Sequence, residues 1–165
     1  MPDQIAIWGL AASSAATGLV AGVFLTFSDF VMRSLGAAGP VSGMEAMQQI
    51  NRKVYRSIFM VLLIGMVPVS LAIALYAAVF AGGAAARWLI AGAALYIAGV
   101  FAVTAAGNVP MNKRLDVIGH SDSAARTYWE TYGRYWTLWN HVRTAASFAA
   151  AWCYLAGAIL LAQGA

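Results

Sequence analysis

The sequence predicts an all-α protein, an integral membrane four-helix bundle with helical extensions on the cytoplasmic side, and three observations carry that expectation. First, 62% of the 165 residues are hydrophobic and only 10% are charged, against ~45–50% apolar and ~25% charged in soluble domains. A soluble chain of this length leaves about a third of its unfolded surface exposed, so this one needs lipid around it. Second, uncharged apolar runs of ~20 residues, long enough to cross ~30 Å of hydrocarbon, occur four times. Third, the charges fall between those runs in a lopsided way.

The first run, residues 5–27, is longer than the ~7–15 residues of a signal-peptide core and lacks a positive n-region. Ser14, Gly18 and Gly22 recur along it at every fourth position, a stripe that predicts close approach of another helix. After the breakers Gly36-Ala37-Ala38-Gly39-Pro40, Ser42 and Glu45 have capping-box spacing, which predicts a helix from about Gly43 through Asn51 and Tyr55 into the second run. That run, 57–80, contains Pro68; the missing donor frees the carbonyl of Ile64 and predicts a kink. Residues 81–87 form a tight hairpin into the third run, 88–107, which Asn108 ahead of Val109-Pro110 can end. Ser121 or Asp122 can cap a helix that starts near Ser123 and continues into the fourth run, 136–162. With no repeat or soluble segment visible, residues 1–165 read as a single transmembrane domain.

Nine of the ten Lys and Arg residues lie in or beside the two long connections, and only Arg87 lies at the other end. The positive-inside rule then places both connections in the cytoplasm and both termini outside, as expected of a multi-pass protein of a bacterial inner membrane. The short tail carrying Asp3 is easily translocated. A net charge of +4 is thus explained by topology, and no nucleic-acid partner is expected. The single Cys153 excludes an internal disulfide and any Cys-pair metal site, and the only two imidazoles are His120 and His141. The expected partners are membrane lipid and a small hydrophobic substrate, with a homo-oligomer through Gly18 and Gly22 allowed.

Polar residues of unusual type gather at one end of the spans: Asp29, Asn51, Arg56, Asn108, Asn112, Asn140, His141 and Arg143. An intramembrane guanidinium or imidazole is costly unless it faces a protein interior or a wet cavity, and one cavity opening to the cytoplasm can take the whole group. Asn140, Arg143 and Ser147 share a helical face with Trp136, whereas His141 lies about 100° away with Arg134 and Leu138. Asn140 and His141 can still border one cleft. Tyr128, Trp129, Tyr132, Tyr135, Trp136 and Trp139 supply flat apolar walls with polar handles. The bland readings are an interfacial belt for Tyr128, Tyr135 and Trp136, topology determinants for Arg52, Lys53, Arg114, Arg126 and Arg134, a cap for Glu45 and a solvated loop for His120.

The runs Gly107-Asn108-Val109-Pro110-Met111-Asn112-Lys113-Arg114-Leu115 and Trp136-Thr137-Leu138-Trp139-Asn140-His141-Val142-Arg143-Thr144, with Phe24 to Met32 and Met47 to Arg52, make a chain that resembles the anthrone oxygenase-like family of small four-span membrane proteins. The resemblance implies oxidation of a small hydrophobic aromatic or quinol-like substrate with dioxygen and no cofactor. An anthrone's benzylic proton is acidic because its anion is an aromatic phenolate, and that anion can pass an electron to dioxygen. The protein then supplies a general base, oxyanion donors and an apolar slot. On this reading His141 is the base, and Arg143 with Asn140 belongs to the catalytic group. Asn108, Asn112, Asn51, Asp29, Tyr132, Trp136 and Trp139 bind substrate.

Two other classes compete. Asp29, Glu45, Glu130 and His141 can in principle ligate a transition metal, or His141 with a Met a haem, but no Glu-x-x-His pair occurs and no metal ligand is assigned. A non-enzymatic module, such as a small transporter, a lipid-binding bundle or an accessory subunit, also suits four Gly-rich helices. A conduction path needs polar residues at the midplane, where the spans offer only Ser, Thr and Gly.

Overall fold

The computed structural model describes residues 4–119 and 123–164; Asp3, His120 and the expected caps Ser121 and Asp122 lie outside them. Five helices occupy the described chain: α1 (Gln4–Ala37), α2 (Pro40–Val54), α3 (Ile58–Phe80), α4 (Gly83–Asp116) and α5 (Ser123–Ala162). All but α2 are long and apolar enough to cross a membrane. Only 22% of the most apolar window of α3 is buried within the bundle, and Ile58, Val61, Leu71, Leu75 and Phe80 point outward. That surface is explained only if lipid is its solvent.

The long helices run up and down. Tyr154 and Cys153 of α5 meet Gly92 of α4, Ala146 meets Gly99, and Trp139 meets Gly107, an antiparallel register. Side-chain hydroxyls tie the layers together. Ser14 Oγ donates to the Ala151 carbonyl at 2.8 Å, Tyr96 Oη to the Leu63 carbonyl at 2.9 Å, and Tyr154 Oη to Ser70 Oγ at 2.8 Å. One core, with Leu10, Val20, Phe24, Leu63, Leu89, Tyr96 and Tyr154, fills the bundle. A second, with Met32, Met44, Met47, Leu115, Trp129, Tyr132 and Trp136, fills the end where α2 packs on the extensions of α1, α4 and α5.

Several local expectations give way to tertiary structure. Gly39, with φ of 90°, precedes α2 and Pro40 opens it, because proline's fixed φ and missing donor suit a first turn. Ser42 therefore lies inside the helix and does not cap it. Nor does α2 run into the second span. The chain breaks at Tyr55-Arg56-Ser57, where Ser57 turns extended and its Oγ accepts from the Met60 amide at 3.2 Å, a side-chain N-cap that starts a new helix. Pro68 lies within α3, which continues past it. At the hairpin, α4 begins at Gly83, whose φ is +56°, five residues before the predicted span.

The third helix does not end at Asn108. Two π-helical stretches, Leu95–Ala102 and Thr104–Asn108, lead into a regular turn that holds Pro110, and α4 continues to Asp116. The Val109 amide donates to the Thr104 carbonyl, five residues back, a shifted register that accommodates the donor-free proline one residue later. In α1, a π turn at Phe27–Val31 lets the helix continue to Ala37. The Ser14/Gly18/Gly22 stripe is used only at Ser14: a Cβ on Gly18 or Gly22 would meet nothing within 4 Å. Close approach occurs between α4 and α5 instead, where a Cβ on Gly92 would lie 2.9 Å from that of Cys153.

Candidate functional site

Between the two cores lies a cavity of about 500 Å³, to which every helix contributes. Pockets of this size hold small organic molecules. Its apolar walls are Phe24 and Phe27 of α1, Met47 and Ile50 of α2, Phe59, Met60 and Leu63 of α3, and Trp136 of α5. The polar groups are few and convergent: Asn51, Thr104, Asn108, Asn112, Asn140 and Arg143, with Lys53 and Tyr55 at the exposed rim. The π turns sit where α1 and α4 meet this space, placing Phe27 and Asn108 in its wall, in keeping with the frequency of π turns at functional sites.

Arg143 dominates the electrostatics. It is 5% exposed, and among the described residues no carboxylate forms an ion pair with it. Its Nη2 donates to Asn140 Oδ1 at 2.6 Å and its Nη1 to Thr104 Oγ1 at 3.4 Å. The guanidinium carbon lies 4.2 Å from the centre of the Phe24 ring and 5.4 Å from that of Trp136. Among the described residues Nε has no partner, and neither has Asn108 Oδ1. Ring faces and one carboxamide offset only part of the cost of burying a charge. The result is a positive centre in apolar surroundings, suited to an anionic oxygen.

The carboxamides are anchored differently. Asn140 Nδ2 donates to the Phe24 carbonyl and to Ser28 Oγ, each at 2.6 Å, so with its bond from Arg143 it joins the π turn of α1 to the guanidinium. Asn108 Nδ2 donates to the Trp136 carbonyl at 3.1 Å. Asn112 Oδ1 accepts from Tyr132 Oη and Trp136 Nε1, both at 2.8 Å, and Asn51 Nδ2 reaches Tyr132 Oη at 3.5 Å. Behind them Trp129, Tyr132 and Trp136 stack in a column, with centroids 5.7 Å and 6.0 Å apart.

A family model described as anthrone oxygenase matches residues 52–153, well over half of the chain. The chain belongs to the anthrone oxygenase family. No curated protein and no solved structure matches it. The segment matched by the anthrone oxygenase model contains Thr104, Asn108, Asn112, Trp136, Asn140 and Arg143. The other part of the cavity, Phe24, Phe27, Met47 and Asn51, comes from chain that precedes the match.

Of the residues singled out from sequence, Asn51, Asn108, Asn112, Trp136, Asn140 and Arg143 line one cavity. Tyr132 is buried directly behind it. The others are not brought there. His141 is exposed and lines a separate recess with Ser28, Arg33 and Arg134, so the single cleft expected to border both Asn140 and His141 is not formed. Asp29 is exposed and paired with Arg33 at 3.1 Å. Arg56 is exposed in the break before α3, and Trp139, 41% exposed, lies outside the cavity against Gly107. The carboxylates considered for a metal, Asp29, Glu45 and Glu130, are exposed, and among the described residues no three of His, Cys, Asp and Glu converge.

Sequence reasoning missed Phe24, Phe27, Ser28 and Thr104. Thr104 stands four residues before Asn108, a same-face spacing that could have flagged it. Phe24 and Phe27 had no such signal, because apolar residues in a span look alike whether they face lipid or a cavity.

Proposed function

We propose that the chain is a membrane-embedded oxidoreductase that oxidises a small hydrophobic aromatic or quinol-like substrate with dioxygen in the cavity around Arg143, at the cytoplasmic end of the bundle. The observation that carries this reading is the buried guanidinium without a carboxylate partner among the described residues, set among carboxamides and aromatic faces in a family of anthrone oxygenases. A substrate that ionises to a phenolate places its oxygen against Arg143, and Phe27 and Trp136 cover its ring. The positive charge stabilises the anion over the neutral form and so lowers the substrate's own pKa. The electron-rich anion then reacts with dioxygen. For an anthrone, the methylene carbon loses two hydrogens and gains one oxygen atom, while the second oxygen leaves as water.

No imidazole or carboxylate lines the cavity among the described residues. The reading therefore gives His141 no contact with substrate, and the proton leaves at the rim beside Lys53 and Tyr55. Asn140, with both amide donors engaged within the protein, is a positioning residue for Arg143. The test is dioxygen uptake by the purified chain in detergent or nanodiscs with an anthrone or hydroquinone. Uptake should be catalytic and should fall by about 10²–10³ in Arg143→Met, the usual cost of an oxyanion donor. Equal uptake by the variant would sink the reading.

A further inference from the structure

A second recess, of about 540 Å³, opens between α1 and α5 and takes no part in the proposed reaction. Arg33 of α1 and Arg134 of α5 line it together with His141. On α5, Arg134, Leu138 and His141 descend one helical stripe from the polar extension into the apolar span. We propose that this recess binds the phosphate of an anionic phospholipid headgroup. Two guanidiniums arriving from different helices form a site that grips an anion from two sides. Two carboxylates stand close by: Asp29 bonds Arg33, and Glu130 lies one helical turn before Arg134. The Arg33–Asp29 pair is 75% and 63% exposed, a surface contact that phosphate can replace at little cost, and the lining of the recess itself holds both guanidiniums and neither carboxylate.

The occupant is a lipid because of the surroundings. Leu138 in the lining is 54% exposed and neighbouring Phe30 is 53% exposed; both are apolar surfaces that acyl chains cover. The stripe stands where the extension of α5 passes into its apolar span, the depth of headgroups, and basic pockets between spans at that depth suit anionic lipid.

The site also abuts the cavity. Ser28, in the recess lining, accepts the hydrogen bond from Asn140, which in turn holds Arg143.

The test is native mass spectrometry of the full chain released from vesicles of phosphatidylglycerol and phosphatidylcholine in equal amounts. Phosphatidylglycerol should be retained in excess, and each of Arg33→Gln and Arg134→Gln should reduce that excess about fivefold. Arg134→Lys and Arg87→Gln, the latter at the opposite end, should retain it, and Asp29→Asn should increase it. Equal retention of the two lipids, or an excess unchanged in Arg134→Gln, overturns the proposal. Displacement of the lipid by millimolar inorganic phosphate would assign the recess to free phosphate and overturns the lipid reading. Helicity by circular dichroism accompanies each variant, and the charge-preserving Arg134→Lys keeps the test decisive if Arg134→Gln misfolds.

Discussion

Asn140 and Arg143, one helical turn apart on α5, are joined by a 2.6 Å bond from the guanidinium to the carboxamide oxygen, while the carboxamide nitrogen grips α1 at Phe24 and Ser28. The position of the buried charge thus depends on how α1 packs against α5. Asn140→Ala removes the only bond shown to Arg143 Nη2 and leaves it buried without a partner, which costs about 1–3 kcal/mol. We expect a lower melting temperature in detergent, and a fall in kcat larger than the change in KM.

His141 and Arg143 are two residues apart but open to different spaces. His141→Ala should therefore leave dioxygen uptake within a factor of about two, less than about 0.5 kcal/mol of transition-state free energy, where Arg143→Met lowers it by about 10²–10³. Loss of uptake in His141→Ala would restore the imidazole as the base and require a different geometry for α5.

Asn108 carries an acceptor, Oδ1, that is buried and has no partner among the described residues, while its Nδ2 bonds the Trp136 carbonyl. Asn108→Leu removes the orphaned acceptor together with that one bond, a net cost of about 0.5–1.5 kcal/mol. The variant should therefore melt only slightly below wild type yet raise KM, a separation that steady-state kinetics and thermal unfolding together would reveal.

Gly99 and Gly22 should respond oppositely to alanine. A Cβ on Gly99 would press into the Cβ of Ala146, whereas one on Gly22 meets nothing within 4 Å. Gly99→Ala should destabilise by about 1–3 kcal/mol through overpacking. Gly22→Ala should be neutral or stabilising by up to about 1 kcal/mol from helix propensity. Thermal melts by circular dichroism distinguish the two.

Substrate ionisation against a fixed guanidinium sets the direction of the pH dependence. The rate should rise with pH as substrate loses its proton, with a midpoint below the substrate's pKa in water because Arg143 favours the anion. Arg143→Met should return any residual activity to the aqueous midpoint. A pH–rate profile of kcat/KM measures both.

Much of this protein was legible in its residues because a bilayer is a severe filter. A run of ~20 apolar residues has few fates other than a spanning helix, so the spans could be read one by one, and the polar groups at their ends marked Asn51, Asn108, Asn112, Asn140 and Arg143 together with Asp29, Arg56 and His141, which the cavity does not include. Helical spacing already separated His141 from the Asn140–Arg143 face by about 100°. What it could not supply was the direction of each face. Caps and breaks were the least legible, because Pro40, Ser57 and Pro110 each satisfy local rules that several backbone paths obey.

The sequence by itself determined the class, the number of apolar helices and the chemistry available at one end of them, since hydrophobicity and charge are properties of residues. Only the tertiary structure decided that the α4 and α5 glycines, not Gly18 and Gly22, carry the close contact, and that Phe24 and Phe27 join Arg143 while His141 does not. The physical reason is that rotating a helix by one residue costs almost nothing within that helix. Its facing is set by neighbours distant in sequence, here the α1 carbonyl and hydroxyl that bind Asn140.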